Sequence, residues 1–77
     1  MKIRVLNLTR SIKEKELRAL FEKHGAVESC DLVLDKITHK SKGFAFVEMP
    51  IKDEANAAIK DLNGKKIANQ ALKVKPA

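Results

Sequence analysis

Lys42-Gly43-Phe44-Ala45-Phe46-Val47-Glu48-Met49 alternates between two kinds of residue. The odd positions are small or apolar, whereas the even positions begin and end on a charge, at Lys42 and Glu48. Successive side chains of a strand point to opposite faces, so this parity predicts a strand with its odd set in the core and its even set toward water. Phe44 and Phe46 then stand in solvent. They are two of only three aromatic residues in the chain, so a small core forgoes most of its aromatic material.

The flanking segments extend the pattern. Residues 2–8 alternate and are rich in branched side chains, which predicts a first strand; Val27 to Asp35 predicts a second, joined through a polar loop at 36–41 to the strand at 42–49. Ser11 followed by Glu14 matches a capping box, and Leu17, Leu20 and Phe21 share a helical face until Gly25, which predicts a helix over 12–24. After Pro50, the spacing of Ala55, Ala58, Ile59 and Leu62 predicts a second amphipathic helix closed by Asn63-Gly64. A short connection through Ile67 leads to a last strand at 71–75.

The order is βαββαβ, the ferredoxin-like α+β sandwich: a four-stranded antiparallel sheet with two helices on one face. The other face is left open. By parity, Ile3, Val5, Cys30, Leu32, Leu34, Leu72 and Val74 point inward. Lys2, Arg4 and Leu6, then Ser29, Asp31 and Val33, then Lys73 and Lys75 point outward with the two phenylalanines. Such a platform of rings and cations suits unpaired nucleotides, because every base has a π-face and every nucleotide a phosphate.

Composition narrows the function classes. Seventy-seven residues predict one domain over 1–77, too short for a second domain or a deep catalytic cavity. The formal charge of +6 and a pI near 9.7 favour a polyanionic partner. Cys30 is the sole cysteine, which excludes an internal disulfide and a thiolate metal cluster and fits a reducing compartment. No apolar run approaches the roughly 20 residues of a membrane span, and the start of the chain reads as a strand rather than a signal peptide. The expectation is a cytoplasmic monomer, or a nuclear one in a eukaryote, with no membrane partner, cofactor or metal.

Residues 42–49 resemble the octapeptide of the RNA recognition motif (RRM) family, Lys/Arg-Gly-Phe/Tyr-Gly/Ala-Phe-Val-x-Phe/Tyr, at every fixed position except the last, where Met49 replaces an aromatic. Ile3 to Leu8 resembles the family's hexapeptide, and the likeness continues through Asp53-Glu54-Ala55 and Leu62-Asn63-Gly64 to Leu72-Lys73-Val74. The resemblance implies that the first and third strands are central neighbours, bringing Arg4, Phe44 and Phe46 to the middle of the platform. Arg4 stands where the family normally has an aromatic. A guanidinium plane can stack on a base or clamp a phosphate, so a changed contact is expected there rather than a lost one.

The expected function is binding of single-stranded RNA, with single-stranded DNA as a further candidate, in post-transcriptional regulation or as an RNA chaperone. Phe44 and Phe46 would stack on bases while Arg4, Lys42, Lys73 and Lys75 contact phosphates or bases. The alternative is an RRM-like domain that docks a peptide or helix on the same face. An enzyme of the acylphosphatase kind is not expected, because Asn7-Leu8-Thr9-Arg10-Ser11 lacks the glycines of a phosphate cradle. Asp31 and Glu48 have no water-excluding pocket for paired-carboxylate chemistry. His24 and His39 lack a second ligand at metal spacing, the lysines of the first helix read as a solvated face, and Cys30 reads as a small core residue.

Overall fold

A computed structural model describes the backbone of residues 1–77 and every side chain except that of Ser41. The elements are β1 (Lys2–Leu6), α1 (Glu14–Glu22), β2 (Ser29–Leu34), β3 (Ser41–Glu48), α2 (Lys52–Leu62), β4 (Lys66–Ile67), β5 (Gln70–Ala71) and β6 (Lys73–Pro76). β2, β3, β1 and β6 lie side by side in that order, every neighbouring pair antiparallel. The expected α+β sandwich is therefore present, with β3 and β1 at its centre.

One face of this sheet carries the core. Ile3, Val5, Ala45, Val47 and Val74 from the strands are sealed against Leu17 and Phe21 of α1 and Ala55, Ala58 and Leu62 of α2. Met49 is fully buried, so the residue that departs from the octapeptide packs in the core as its parity predicts. No helix among the described residues is long and apolar enough to cross a membrane.

Several local expectations are corrected. β1 ends at Leu6 because Asn7 takes a left-handed conformation (φ 60°), which turns the chain into the loop before α1. The capping box does not form. α1 starts at Glu14 with Lys13 as its N-cap and no side-chain cap, and Ser11 Oγ instead lies 3.1 Å from Thr9 Oγ1. The Glu14 carboxylate accepts from the Leu32 amide at 3.3 Å, occupying a group on the free edge of β2. Glu14 and Glu16 still place negative charge at the positive end of the helix, which compensates for the missing cap.

Leu34 was expected inward and is instead 44% exposed. Leu34 still borders the same depression as Leu32 and Ile12, on the helix side, but it ends the edge strand β2, past the register shift, where no helix seals it. The last strand is also shorter than expected. Ala71 belongs to a separate two-stranded hairpin, β4–β5, whose two-residue turn holds Ala68 (φ 51°) and Asn69 (φ 67°) in left-handed conformations. An Ala-Asn turn lacks the usual glycine and so carries little local signal.

Gly25 is required by a close approach. Its φ is +151°, and a Cβ there would overlap the Glu54 side chain, whose carboxylate accepts from the Ala26 amide at 3.2 Å. The turn after α1 is thereby seated on α2.

Candidate nucleic-acid interface

The helix-free face is organised by strand register. Arg4 of β1 lies opposite Phe46 of β3, and Asp31 of β2 lies opposite Phe46 from the other side. Lys75 of β6 lies opposite Arg4. Asp31, Phe46, Arg4 and Lys75 thus form one row across the whole sheet, with Arg4 and Phe46 at its middle. Lys2 opposite Glu48 begins the next row, and Lys73 lies opposite Leu6 at the other end.

Phe44 and Phe46 are half-buried, in contrast to Phe21, which is wholly enclosed. Their ring centroids are 6.2 Å apart and their planes meet at 87°. This edge-to-face contact is worth about 0.5–1.5 kcal/mol beyond area burial and holds the rings in a defined mutual orientation. Both keep surface available to a planar ligand. A base lying flat on one ring is nearly perpendicular to a base lying flat on the other, so two stacked nucleotides must part their planes.

Arg4, Lys42, Lys73 and Lys75 are exposed and form no ion pair among the described residues. Their charge is unspent. Lys2, which the sequence reading placed outward without assigning it to the site, holds its ammonium 5.7 Å from the centroid of the Phe46 ring. The cation–π contact at an exposed site is worth about 0.5–1 kcal/mol, less than a stacked base at about 1–3 kcal/mol. A base can therefore displace Lys2, which remains long enough to follow a phosphate. Its parity with Arg4 was the available signal.

Two ionisable groups outside the ring row are perturbed. Asp35, at the start of the β2–β3 loop, has a lowered pKa because its carboxylate accepts from the Thr38 and Ile37 amides, at 3.0 and 2.8 Å. Its charge is committed to shaping the loop. Cys30 is 4% exposed in the core, and burial, with Glu14 adding repulsion, pushes its thiol up to about 11. The thiolate is the reactive form, so Cys30 should resist iodoacetamide at pH 8 in the native protein and react promptly once denaturant is added. Mass spectrometry of the quenched reaction checks this; fast native labelling would mean that Cys30 is not sealed.

His24 lies just after α1 and sets its Nε2 3.0 Å from Asp61 Oδ2 on α2, so it ties the two helices together on the far side from the rings. His39 sits in the β2–β3 loop with φ 59°. Among the described residues no group of three potential ligands could hold a metal ion.

Comparison with known proteins agrees with the fold. Residues 3–73 match the family described as RNA recognition motif. The chain is 40% identical over 74 residues to the chloroplast 29 kDa ribonucleoprotein B of Nicotiana sylvestris, a match that covers 96% of this chain and 25% of the relative. The chain spans about a quarter of the length of the curated relatives it matches. Among solved structures, an RNA-binding protein termed PG1 superimposes with a TM-score of 0.96 at 38% identity, covering all of this chain and 93% of the other. A Sex-lethal protein/RNA complex superimposes with a TM-score of 0.95 at 36% identity, covering 99% of this chain and 46% of the other. Chloroplast proteins among these relatives give the cytoplasmic expectation no support.

Proposed function

The chain belongs to the RNA recognition motif family, and from that premise we propose that its helix-free sheet face binds single-stranded RNA by stacking bases on Phe44 and Phe46. The observation that carries the proposal is the pair of partly exposed rings, Phe46 in one row with Arg4 and Lys75 and Phe44 packed edge to face against it, beside cations with no ion pair among the described residues, on the one face that no helix covers. Arg4 contacts a base or phosphate at the centre of the platform. Lys42, Lys73 and Lys75 hold the backbone on either side.

The unit is one domain over residues 1–77. Its activity is binding without catalysis, in post-transcriptional regulation or as an RNA chaperone. Two stacked bases at about 1–3 kcal/mol each, together with several phosphate contacts, reach micromolar affinity. Single-stranded DNA competes where the 2′-hydroxyl is not read. Duplex RNA binds poorly, because its bases are already paired and stacked and cannot lie on the rings.

An NMR titration with a mixed-sequence single-stranded RNA pool tests the proposal. Amide shifts should concentrate on β1, β3 and the Lys73–Lys75 segment, and shifts confined to the helices would refute it. The same titration against salt gives a second expected result. Each phosphate neutralised contributes a slope of about −0.7 in log K against log salt for a single strand, so three or four cation contacts predict a slope of about −2 to −3. A salt-independent affinity would remove the lysines from the interface. Peptide docking on this face, the competing reading, would instead leave RNA affinity unmoved when both rings are replaced.

A further inference from the structure

The loop between β1 and α1 is held at both ends and open in the middle. Leu8 is 2% exposed and its amide donates to the Gly43 carbonyl at 2.8 Å, while Ile12 is 5% exposed. Between these two apolar anchors Thr9, Arg10 and Ser11 arch outward, and the Leu8–Gly43 bond fixes the arch beside the start of β3. Arg10 is exposed there, with no ion pair or hydrogen bond among the described residues.

Two shallow depressions meet at this point. One lies toward β1 and the β4–β5 hairpin, bordered by Leu6, Asn7 and Gln70; the other lies toward the β2–β3 loop, bordered by Asp35, Thr38 and Lys40. Arg10, Lys42 and Phe44 line both. These three residues therefore form the ridge between the depressions, with one aromatic ring and two cations contributed by separate segments. A base stacked on Phe44 has its sugar and phosphates at the ring's margin, where these two cations stand. Asp35 is the single acid bordering either depression, and its carboxylate already accepts from two loop amides.

We infer that Arg10 and Lys42 form a two-cation clamp on the RNA backbone beside Phe44, and that Arg10 is the residue that carries the strand off the platform toward the β2–β3 loop. This rests on the platform reading of the proposed function. Arginine suits the role because its planar fork can bond two oxygens of one phosphate, whereas lysine acts as a point charge. The two depressions on either side of the ridge give the strand room to continue in both directions. Lys40, at the margin of the second depression, is the next cation along that path.

The test measures a mixed-sequence hexanucleotide RNA pool against the parent chain and four variants, each checked for folding by circular dichroism. Arg10→Ala should weaken binding by roughly three- to tenfold and reduce the salt slope by about 0.7, the share of one phosphate. Arg10→Lys should restore the slope and only part of the affinity. Lys15→Ala removes the same charge from the exposed surface of α1 and should change binding by less than about twofold, which separates a contact from general attraction. If Arg10→Ala behaves like Lys15→Ala while Phe44→Ala still loses affinity, the clamp is wrong and the platform stands. If Phe44→Ala also binds as the parent does, the platform reading itself has failed.

Discussion

Replacing Phe44 and Phe46 together by alanine should weaken single-stranded RNA binding by about 30-fold or more while the domain stays folded. Each stacked base is worth about 1–3 kcal/mol by alanine substitution, so a single replacement should cost about 5- to 150-fold. The pair will not behave additively. The rings touch each other edge to face, so removing one also frees the other from its orientation. The second replacement should therefore cost less than the first.

Stability should change little by comparison. Both side chains are half-buried on the helix-free face, and their loss removes one aromatic contact and some cross-strand packing rather than volume from the sealed core. A cost near 1 kcal/mol corresponds to a midpoint shift of about 4–8 °C for a domain of this size. Fluorescence anisotropy with labelled RNA and a thermal melt on the same sample measure both quantities. Parental affinity in a folded double variant would remove the rings from the binding site.

Phe21→Ala should do the reverse. Phe21 is 0% exposed between α1 and the sheet, and it is among the largest of the wholly enclosed side chains. Truncating such a residue costs about 3–5 kcal/mol, from lost transfer energy and from the cavity that incomplete relaxation leaves behind. A chain of 77 residues has about 4–12 kcal/mol of stability in total at the usual per-residue range. The variant should melt on the order of 20 °C lower or be unfolded at room temperature. Whatever fraction remains folded should bind RNA with parental affinity, since Phe21 lies beneath the sheet. Phe21→Leu, which keeps most of the volume, should recover much of the midpoint. An unchanged melt in Phe21→Ala would show that the core does not depend on that ring.

These two expectations assign opposite roles to one residue type, and the sequence pattern separates the wet positions from the buried one. In β3 the charges at Lys42 and Glu48 mark the even face as wet, and the rings between them share it. In α1, Phe21 falls on the same helical face as Leu17. The open face was legible for the same reason: two amphipathic helices and four strands can cover just one side of the sheet. Arg4, Lys73 and Lys75 followed from parity along short, regular strands.

Leu34 shows where that reasoning stops. Parity assigns the side of the sheet and not the depth of cover: Leu34 borders the same depression as Leu32 and Ile12 but ends the edge strand, and it is 44% exposed. The capping box at Ser11 and Glu14 failed because the Leu32 amide on β2, distant in the chain, engages the Glu14 carboxylate. The β4–β5 hairpin went unseen because its turn uses alanine and asparagine where glycine would have announced it. Arg10 carried no periodic signal, since loops have none.

The chain's own pattern determined which residues form strands and helices, which side of β3 meets water, and that two phenylalanines stand there; these follow from side-chain alternation and helical spacing, which are local. The family resemblance implied that β1 and β3 are central neighbours, and tertiary structure decided the register between strands, so that Arg4 faces Phe46 and Lys75 faces Arg4. It also decided where the β1–α1 loop rests, through the bond from Leu8 to Gly43 that sets Arg10 beside Phe44. Contacts between distant segments arise from packing the whole core at once, and no short window of residues encodes them.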